Sequence, residues 1–337
     1  MPMENFNKLI MHPDFKKTVE ELSSKKIFLP SGGEEQNYNY LNFSQNGALV
    51  VNLEDIKSYP LDIHNGCRNK DKFLFSAYDE SIIKFSALEG TAYFTSHSLV
   101  IAGEEEYAPI NLVTFYFYTR SRLITSKSKY IKFSSDIELE STRDCVVDKK
   151  NFLIDYAPEK SLLFIDGPLI AGNLYTYMVS AIKEFLKKEI IPVFFVKNSL
   201  SNLVTENIDG LSGQYNSDMH WLNTVIKAGE RSCFFKYQDK KNEKNSKAFC
   251  YIKAIEPAIQ RVEFHIDTFL KYKGHISDIM DLIFYLLLVQ GSGFNPQLRP
   301  IAIAEAYARS VLKFVDINKY LKDAKISPTI NQVRFGG

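Results

Sequence analysis

The sequence predicts an α/β fold with a mixed sheet, on three observations. Three runs rich in Phe, Tyr, Val, Ile and Thr (72–79, 91–103 and 111–125) follow one another across turns that contain Gly or Pro. Two almost wholly apolar runs, SLLFIDGPL (161–169) and IPVFFVK (191–197), have the length and composition of buried strands. Between and after these runs the period changes from two to about 3.6, the mark of intervening helices.

Short links between the first three strands favour an antiparallel meander. Residues 136–157 then place Leu139, Val146, Leu153 and Ala157 on one helical stripe, which Pro158 closes. The 161–169 strand ends in Asp-Gly. NLYTYMVSAIKEFLKKE (173–189) is amphipathic and basic at its end, hence a helix. The 191–197 strand follows, and SDMHWLNTVIKAGERS (217–232) starts on a Ser-Asp cap and reads as helix. The order β-β-β-α-β-α-β-α, three antiparallel strands and then two parallel strands with crossover helices, is the RNase H-like arrangement. Residues 233–275 return to strand character around a charged hairpin tip, and the remainder is helical, including the apolar run 279–289. Three regions are expected: an N-terminal extension or arm at 1–70, a principal domain at 71–315 and a polar tail at 316–337.

Composition narrows the function classes. A chain of 337 residues that is 45% hydrophobic has ample material for a core. A net charge of +1 excludes bulk positive charge as a sign of nucleic-acid binding, though not a local basic face. The four cysteines are far apart with no CxxC pairing, so neither a disulfide framework nor a zinc knuckle is readable. The N-terminus lacks the apolar run of a signal peptide, and 279–289 is too short to span a bilayer and contains Asp281. A cytoplasmic protein with no membrane partner is the expectation.

The acidic residues carry the chemistry. In such a sheet, carboxylates at the first and fourth strands approach one another near the strand C-termini, where ligand sites gather. Asp79, in FSAYDES, is expected at the end of the first strand, and Asp166, in LLFIDGPL, at the end of the fourth, with Gly167 permitting a tight turn. The 136–157 helix offers Glu138 or Glu140, and periodicity does not choose between them. Three converging carboxylates would repel unless a hard divalent cation sat among them, and Mg²⁺ or Mn²⁺ suits oxygen ligands. Two such ions would orient a water and stabilise a leaving oxygen in phosphodiester hydrolysis. The plainer alternative is that Asp79 starts a turn and Asp166 caps the next helix.

At these residues the chain resembles the NurA family of nucleases. LLFIDGPL is similar to the family's strand ending in Asp-Gly-Ser/Pro-Leu, and FSAYDES to its earlier Val-Asp-Gly-Ser strand. FFVKNSLS, SDMHWLNTVIKAGERS and YIKAIEPAIQRVEF resemble three later family segments in the same order, so the resemblance spans about 70–312. It implies metal binding by Asp79, Asp166 and an acid of the 136–157 helix, Glu140 by preference. It also implies 5′-to-3′ exonuclease activity with single-strand endonuclease activity beside it, a homodimer whose channel admits DNA, and a hexameric HerA-type ATPase as partner. The setting would be DNA end resection or defence against phage. The first motif departs from the family in reading Asp-Glu-Ser, and RPIAIAEAYARSV places Glu305 where the family has a His and Gln297 near its Tyr. Glu305 can ligand a metal but cannot act as a neutral imidazole base.

Lys197, Arg231 and Arg261 are candidate phosphate contacts near such a site, against the plainer reading of solvated surface charge. Arg120, Arg122, Lys127, Lys129 and Lys132 make the densest local basic patch, a candidate DNA-tracking surface. The aromatic third strand is more simply core than a base-stacking platform. The six histidines form no metal motif, no G-x-S-x-G supports a serine nucleophile, and no P-loop is present, so ATP would come from a partner. The rival to a nuclease is a nuclease-like scaffold that has lost catalysis and serves as a DNA-binding or translocase-docking subunit.

Overall fold

The computed structural model describes residues 14, 17, 19, 20 and 48–326, apart from 103–106, 125–127, 171–174, 198, 208–210, 241, 257 and 292–295. Lys127 therefore lies outside the described residues, as do the first residues of the expected arm and the last eleven of the expected tail. The chain divides into two compact units, Met1–Glu35 and Gln36–Gly337. In the first, Lys17, Val19 and Glu20 are helical and exposed.

The second unit is built on a sheet that has 12 strands among the described residues. In chain order these are β1 (Ala48–Asn52), β2 (Ser58–Pro60), β3 (Leu74–Ser86), β4 (Thr91–Ala102), β5 (Tyr107–Thr119), β6 (Ile131–Phe133), β7 (Ser161–Asp166), β8 (Ile191–Val196), β9 (Glu230–Ser232), β10 (Phe235–Asp239), β11 (Ser246–Ile255) and β12 (Ala258–His265). The helices are α1 (Ile63–Asn69), α2 (Ile137–Tyr156), α3 (Tyr175–Lys187), α4 (Asp218–Val225), α5 (Ile266–Lys271), α6 (Ile276–Gln290), α7 (Arg299–Phe314) and α8 (Ile317–Asp323). The sheet order is β1-β10-β11-β12-β8-β7-β3-β4-β5-β6, with β9 joining β2 to β11. β3, β4 and β5 form the expected antiparallel meander, and β7 and β8 run parallel to β3. The architecture is thus mixed α/β around one large mixed sheet.

Strand alternation sorts side chains between two faces. Tyr78, Leu163, Ile165 and Phe194 pack with Phe152 and Leu153 of α2 and with Met178 and Phe185 of α3. Ala77, Phe164, Phe195 and Val262 face the other way, onto Ile279, Ile283 and Leu287 of α6 and Ile301 of α7. α6 is the apolar 279–289 run, and its near-continuous hydrophobicity follows from being covered on most sides. No helix among the described residues is long and apolar enough to cross a membrane. Cys67, Cys145, Cys233 and Cys250 are free.

Several expectations need correction. The boundary at residue 70 is not where the sheet begins: β1 pairs with β10, β2 pairs with β9, and α1 docks on α6. Composition hid this because the docking is done by small and polar residues. Asn65 donates to Asp278 and Asp281 at 2.9 and 2.8 Å, and at Gly66 a methyl group would meet the Asp281 carbonyl oxygen at 2.1 Å. Nor is the segment after 315 merely a tail, since Leu321 of α8 is buried with Phe94, Phe117 and Leu312. The expected helix over 217–232 stops at Val225. Gly229, at φ 85°, turns the chain, and Glu230–Ser232 becomes a strand against β11. On α2, Leu139 of the expected apolar stripe is 41% exposed, and Ile137 of the same turn packs instead against Tyr93, Tyr116 and Tyr118.

Candidate metal and phosphate site

Asp79 is not at a strand end. β3 continues to Ser86, but its parallel pairing with β7 ends at Tyr78↔Ile165, so beyond that point Asp79 pairs only with Ser98 of β4. Asp166 is the last residue of β7, level with Phe195 of β8. Gly167 follows at φ 90°, a left-handed conformation suited to glycine, and its N–H donates to the Phe195 carbonyl at 2.7 Å. Asp79 shares a face with Ala77, and Asp166 with Phe164, so both carboxylates emerge on the α6–α7 side where the parallel strands stop.

Lys197 follows β8 and places its ammonium 3.0 Å from Asp166 Oδ2 and 3.5 Å from Glu305 Oε2. Glu305 comes down from α7, where Arg309 Nη2 holds its Oε1 at 2.5 Å and Gln297 Nε2 donates to its Oε2 at 3.3 Å. Burial would raise Glu305, but Gln297, Lys197 and Arg309 outweigh it and keep the carboxyl low. Asp79 behaves in the opposite way. Burial, then the charges of Asp166 and Glu80, push it up to about 7, against the Glu80 N–H that it accepts at 2.8 Å and the ammonium of Lys197.

Glu138 and Glu140 are not brought to this pair. α2 covers the opposite face of the sheet, where Glu138 pairs with Lys84, and Glu140 with Arg143 at 2.8 Å and Lys132 at 3.8 Å. Periodicity placed both acids beside the apolar stripe but could not say which face of the sheet that stripe covers. The group that α2 does send to the strand ends is Lys149. It lies over the Tyr78 ring and donates to Glu80 Oε2 at 3.2 Å and to the Asp166 carbonyl at 3.4 Å. A lysine three residues after Val146 and four before Leu153, on the stripe itself, was the available signal.

The basic candidates separate sharply. Arg231 is 6% exposed, holds Glu54 bidentately at 2.7 and 3.0 Å, and stacks on Tyr59 and Phe234. Arg261 is 4% exposed and bonds Glu263, Ser199 and Ser201. Both guanidiniums are spent inside the protein, which corrects their reading as phosphate contacts. Arg120, Arg122 and Lys129 stay near the surface, Arg122 over Phe133 and Lys129 over Tyr130, whereas Lys132 turns inward to Asp144 at 2.5 Å.

Among the described residues no three His, Cys, Asp or Glu side chains converge closely enough to hold a metal ion. The donor set that is present, Asp79 with Asp166, still fits one hard, oxygen-ligated divalent cation. Both groups are carboxylates where the parallel pairing of β3 with β7 stops, and burial leaves the charge of Asp79 under-compensated. A prediction follows from that imbalance. Folding raises Asp79 from 3.8 to about 7, so between those values the native state binds more protons than the unfolded chain, and stability falls as pH rises through the window. In EDTA, Asp79→Asn is expected to be more stable than wild type at pH 8, by about 2–4 kcal/mol, with no difference near pH 4. Parallel pH profiles of thermal unfolding would remove Asp79 as the strained group.

Residues 156–310 match the NurA domain family. The chain resembles the crystal structure of the NurA nuclease from Sulfolobus solfataricus at 10% identity, covering 92% of this chain and 95% of that one, with a TM-score of 0.51. A NurA crystallised with manganese matches at 12% identity over 72% and 88% of the two chains, TM-score 0.38. Endonuclease V of Ciona intestinalis, in complex with an inosine-containing 24mer DNA, matches at 13% identity over 89% and 100%, TM-score 0.33. No curated protein matches the chain. The Sulfolobus likeness is one of fold, and the two below it are too distant to add to it.

Proposed function

The chain belongs to the NurA family, and from that premise we propose that it is a divalent-metal-dependent DNA nuclease. The observation that carries the reading is the Asp79–Asp166 pair, set on one face where the β3–β7 pairing ends, with Lys197 beside it. The strand order β5-β4-β3-β7-β8 supports treating the core as RNase H-like.

Asp79 and Asp166 would hold the ion, Mn²⁺ or Mg²⁺, both of which suit carboxylate ligands. When bound, such an ion lowers the pKa of water and stabilises charge on the transferring phosphoryl group. Lys197 supplies a mobile positive charge to a non-bridging phosphate oxygen. Glu305, expected as a catalytic residue, positions that ammonium from α7. Lys149 fixes the Asp166 backbone from the far face. Arg120 and Arg122, exposed beyond β5, are available for the DNA backbone. The 5′-to-3′ polarity, the single-strand activity, the homodimer, the HerA-type ATPase partner and the role in end resection or phage defence rest on the family resemblance.

The second reading, a DNA-binding or docking subunit without catalysis, draws on the absence of a third converging acid among the described residues. End-labelled single- and double-stranded DNA, incubated with Mn²⁺, Mg²⁺ or EDTA, distinguishes the two. Metal-dependent shortening of the label is the expected result. Retained DNA with unchanged binding in every metal, including in the presence of a HerA-type ATPase, would favour the scaffold.

A further inference from the structure

The backbone ladder between β3 and β7 stops just short of the two acids, running from Leu74↔Ser161 to Tyr78↔Ile165. Beyond it Asp79 stays with β4, opposite Ser98, and Asp166 stays with β8, opposite Phe195. The Gly167 N–H donates to the Phe195 carbonyl on the β8 side. The Asp166 carbonyl, across the same planar peptide, therefore points the other way, toward β3. In a continued parallel ladder the Glu80 N–H would donate to that carbonyl. Here the Glu80 N–H is turned onto Asp79 Oδ1 at 2.8 Å instead.

Lys149 takes the place of that missing rung. Its ammonium, brought in by α2, donates to the Asp166 carbonyl at 3.4 Å and to Glu80 Oε2 at 3.2 Å. One group thus holds both Asp166 and the residue that follows Asp79. The Tyr78 ring lies against the ammonium, 4.7 Å from Nζ to the ring centre, and the Tyr78 hydroxyl is fixed in turn by His97 Nδ1 at 2.6 Å. Lys149 is 9% exposed and shares the helix face of Val146, Phe152 and Leu153. An ammonium there carries a desolvation cost that its partners must offset, and a methionine would fill the position without it. Glu80 is also the residue at which the first motif departs from Asp-Gly-Ser, and a glycine there would offer Lys149 no side chain.

We propose that Lys149 is a positioning residue of the metal site: by tying the ends of β3 and β7 where their ladder stops, it sets the separation of the Asp79 and Asp166 carboxylates. The proposal deepens the nuclease reading and rests on it for the ion that the two carboxylates would hold. Without the tie, two groups of like charge are free to move apart, each with its own outer strand. Spacing matters for a small, hard cation, which demands a set geometry of oxygen ligands. Groups that orient the ligands from behind typically govern about ten- to a hundredfold in metal affinity.

Two variants separate this role from simple charge balance. Lys149→Met removes the tie and leaves the Glu80 carboxylate without its cation. Lys149→Met combined with Glu80→Met removes both charges and brings no donor for the Asp166 carbonyl. Hydrogen–deuterium exchange of the full chain in EDTA is expected to speed up in both variants in peptides covering 76–84 and 161–169, with the β10–β11 hairpin unchanged. Mn²⁺ binding, read without DNA from the paramagnetic resonance of the free ion, is expected to weaken about tenfold in both. The melting temperature is expected to drop in the single variant and to recover in the double; melting also identifies a variant that fails to fold, leaving the other as the test. Unchanged exchange at the two strand ends overturns the proposal, as does Mn²⁺ affinity that recovers in the double together with melting. A wild-type chain that binds no Mn²⁺ and cuts no DNA would sink the nuclease reading, and faster exchange in EDTA would leave the tie standing. A chain that binds Mn²⁺ and cuts DNA, with exchange and affinity untouched by the variants, would sink the proposal alone.

Discussion

Asp166→Asn is expected to lower metal-dependent DNA cleavage about a thousandfold or more while leaving the fold in place. The magnitude follows from position. Asp166 ends β7 with its carboxylate between Asp79 and Lys197, so it meets both the cation and the charge on the reacting phosphate. The amide is nearly isosteric and keeps an oxygen toward Lys197, but it cannot hold a divalent ion with the same strength. Little stability is lost, because the Asp166–Lys197 pair is partly exposed and worth about 1 kcal/mol or less. Removing the Asp166 charge also relieves Asp79, whose proton affinity it raises. The informative comparison is therefore single-turnover cleavage in Mn²⁺ beside thermal unfolding of the same preparation. Wild-type cleavage by a well-folded variant would remove Asp166 from the site.

Glu263→Ala is expected to destabilise the protein by about 3–5 kcal/mol. Glu263 is 0% exposed and receives Lys247 Nζ at 2.5 Å, Arg261 Nε at 2.7 Å and the Leu169 N–H at 2.9 Å. Burial alone would raise its proton affinity, but the two cations outweigh that and hold the carboxyl low. Lys247 is pushed down to about 8, chiefly by burial. Alanine would leave two buried cations facing each other, whereas Glu263→Ala combined with Lys247→Met removes one and should recover part of the loss. Chemical denaturation of both variants measures the difference, and a single-variant loss under about 1 kcal/mol would contradict the account. The network also has a bearing on the site. Leu169 lies on the loop after Asp166, and Arg261 anchors Ser199 and Ser201 after Lys197, so one buried carboxylate braces both loops that carry site residues.

How much of this was legible in the sequence differs from residue to residue. The place of Asp166 at a strand end was readable because a buried apolar run that closes in Asp-Gly marks a strand followed by a turn, and the turn at Gly167 agrees with it. Asp79 was found by the same reasoning but misplaced within its strand. β3 runs past it to Ser86 because β4 continues to supply a partner, and the length of a strand depends on its neighbour as well as on its own residues. Arg261 and Glu263 show the reverse situation. Opposite charges two residues apart fall on one face of a strand and look like a solvated edge, yet β8 and β11 flank β12 and close water out.

The alternation of apolar residues, the change of period at 136, the caps and the Asp-Gly turn are properties of contiguous residues. They sufficed for the antiparallel meander, for β7 and β8, and for α2 and α3. Which face each helix covers depends on crossovers that join residues far apart, and that choice sent Glu140 to Lys132 and Arg143, brought Lys149 and Glu305 toward the strand ends, and withdrew Arg231 into the core with Glu54. Burial and charge pairing are sums over the whole packed chain, and so the acid–base character of the site emerged only when the sheet was assembled.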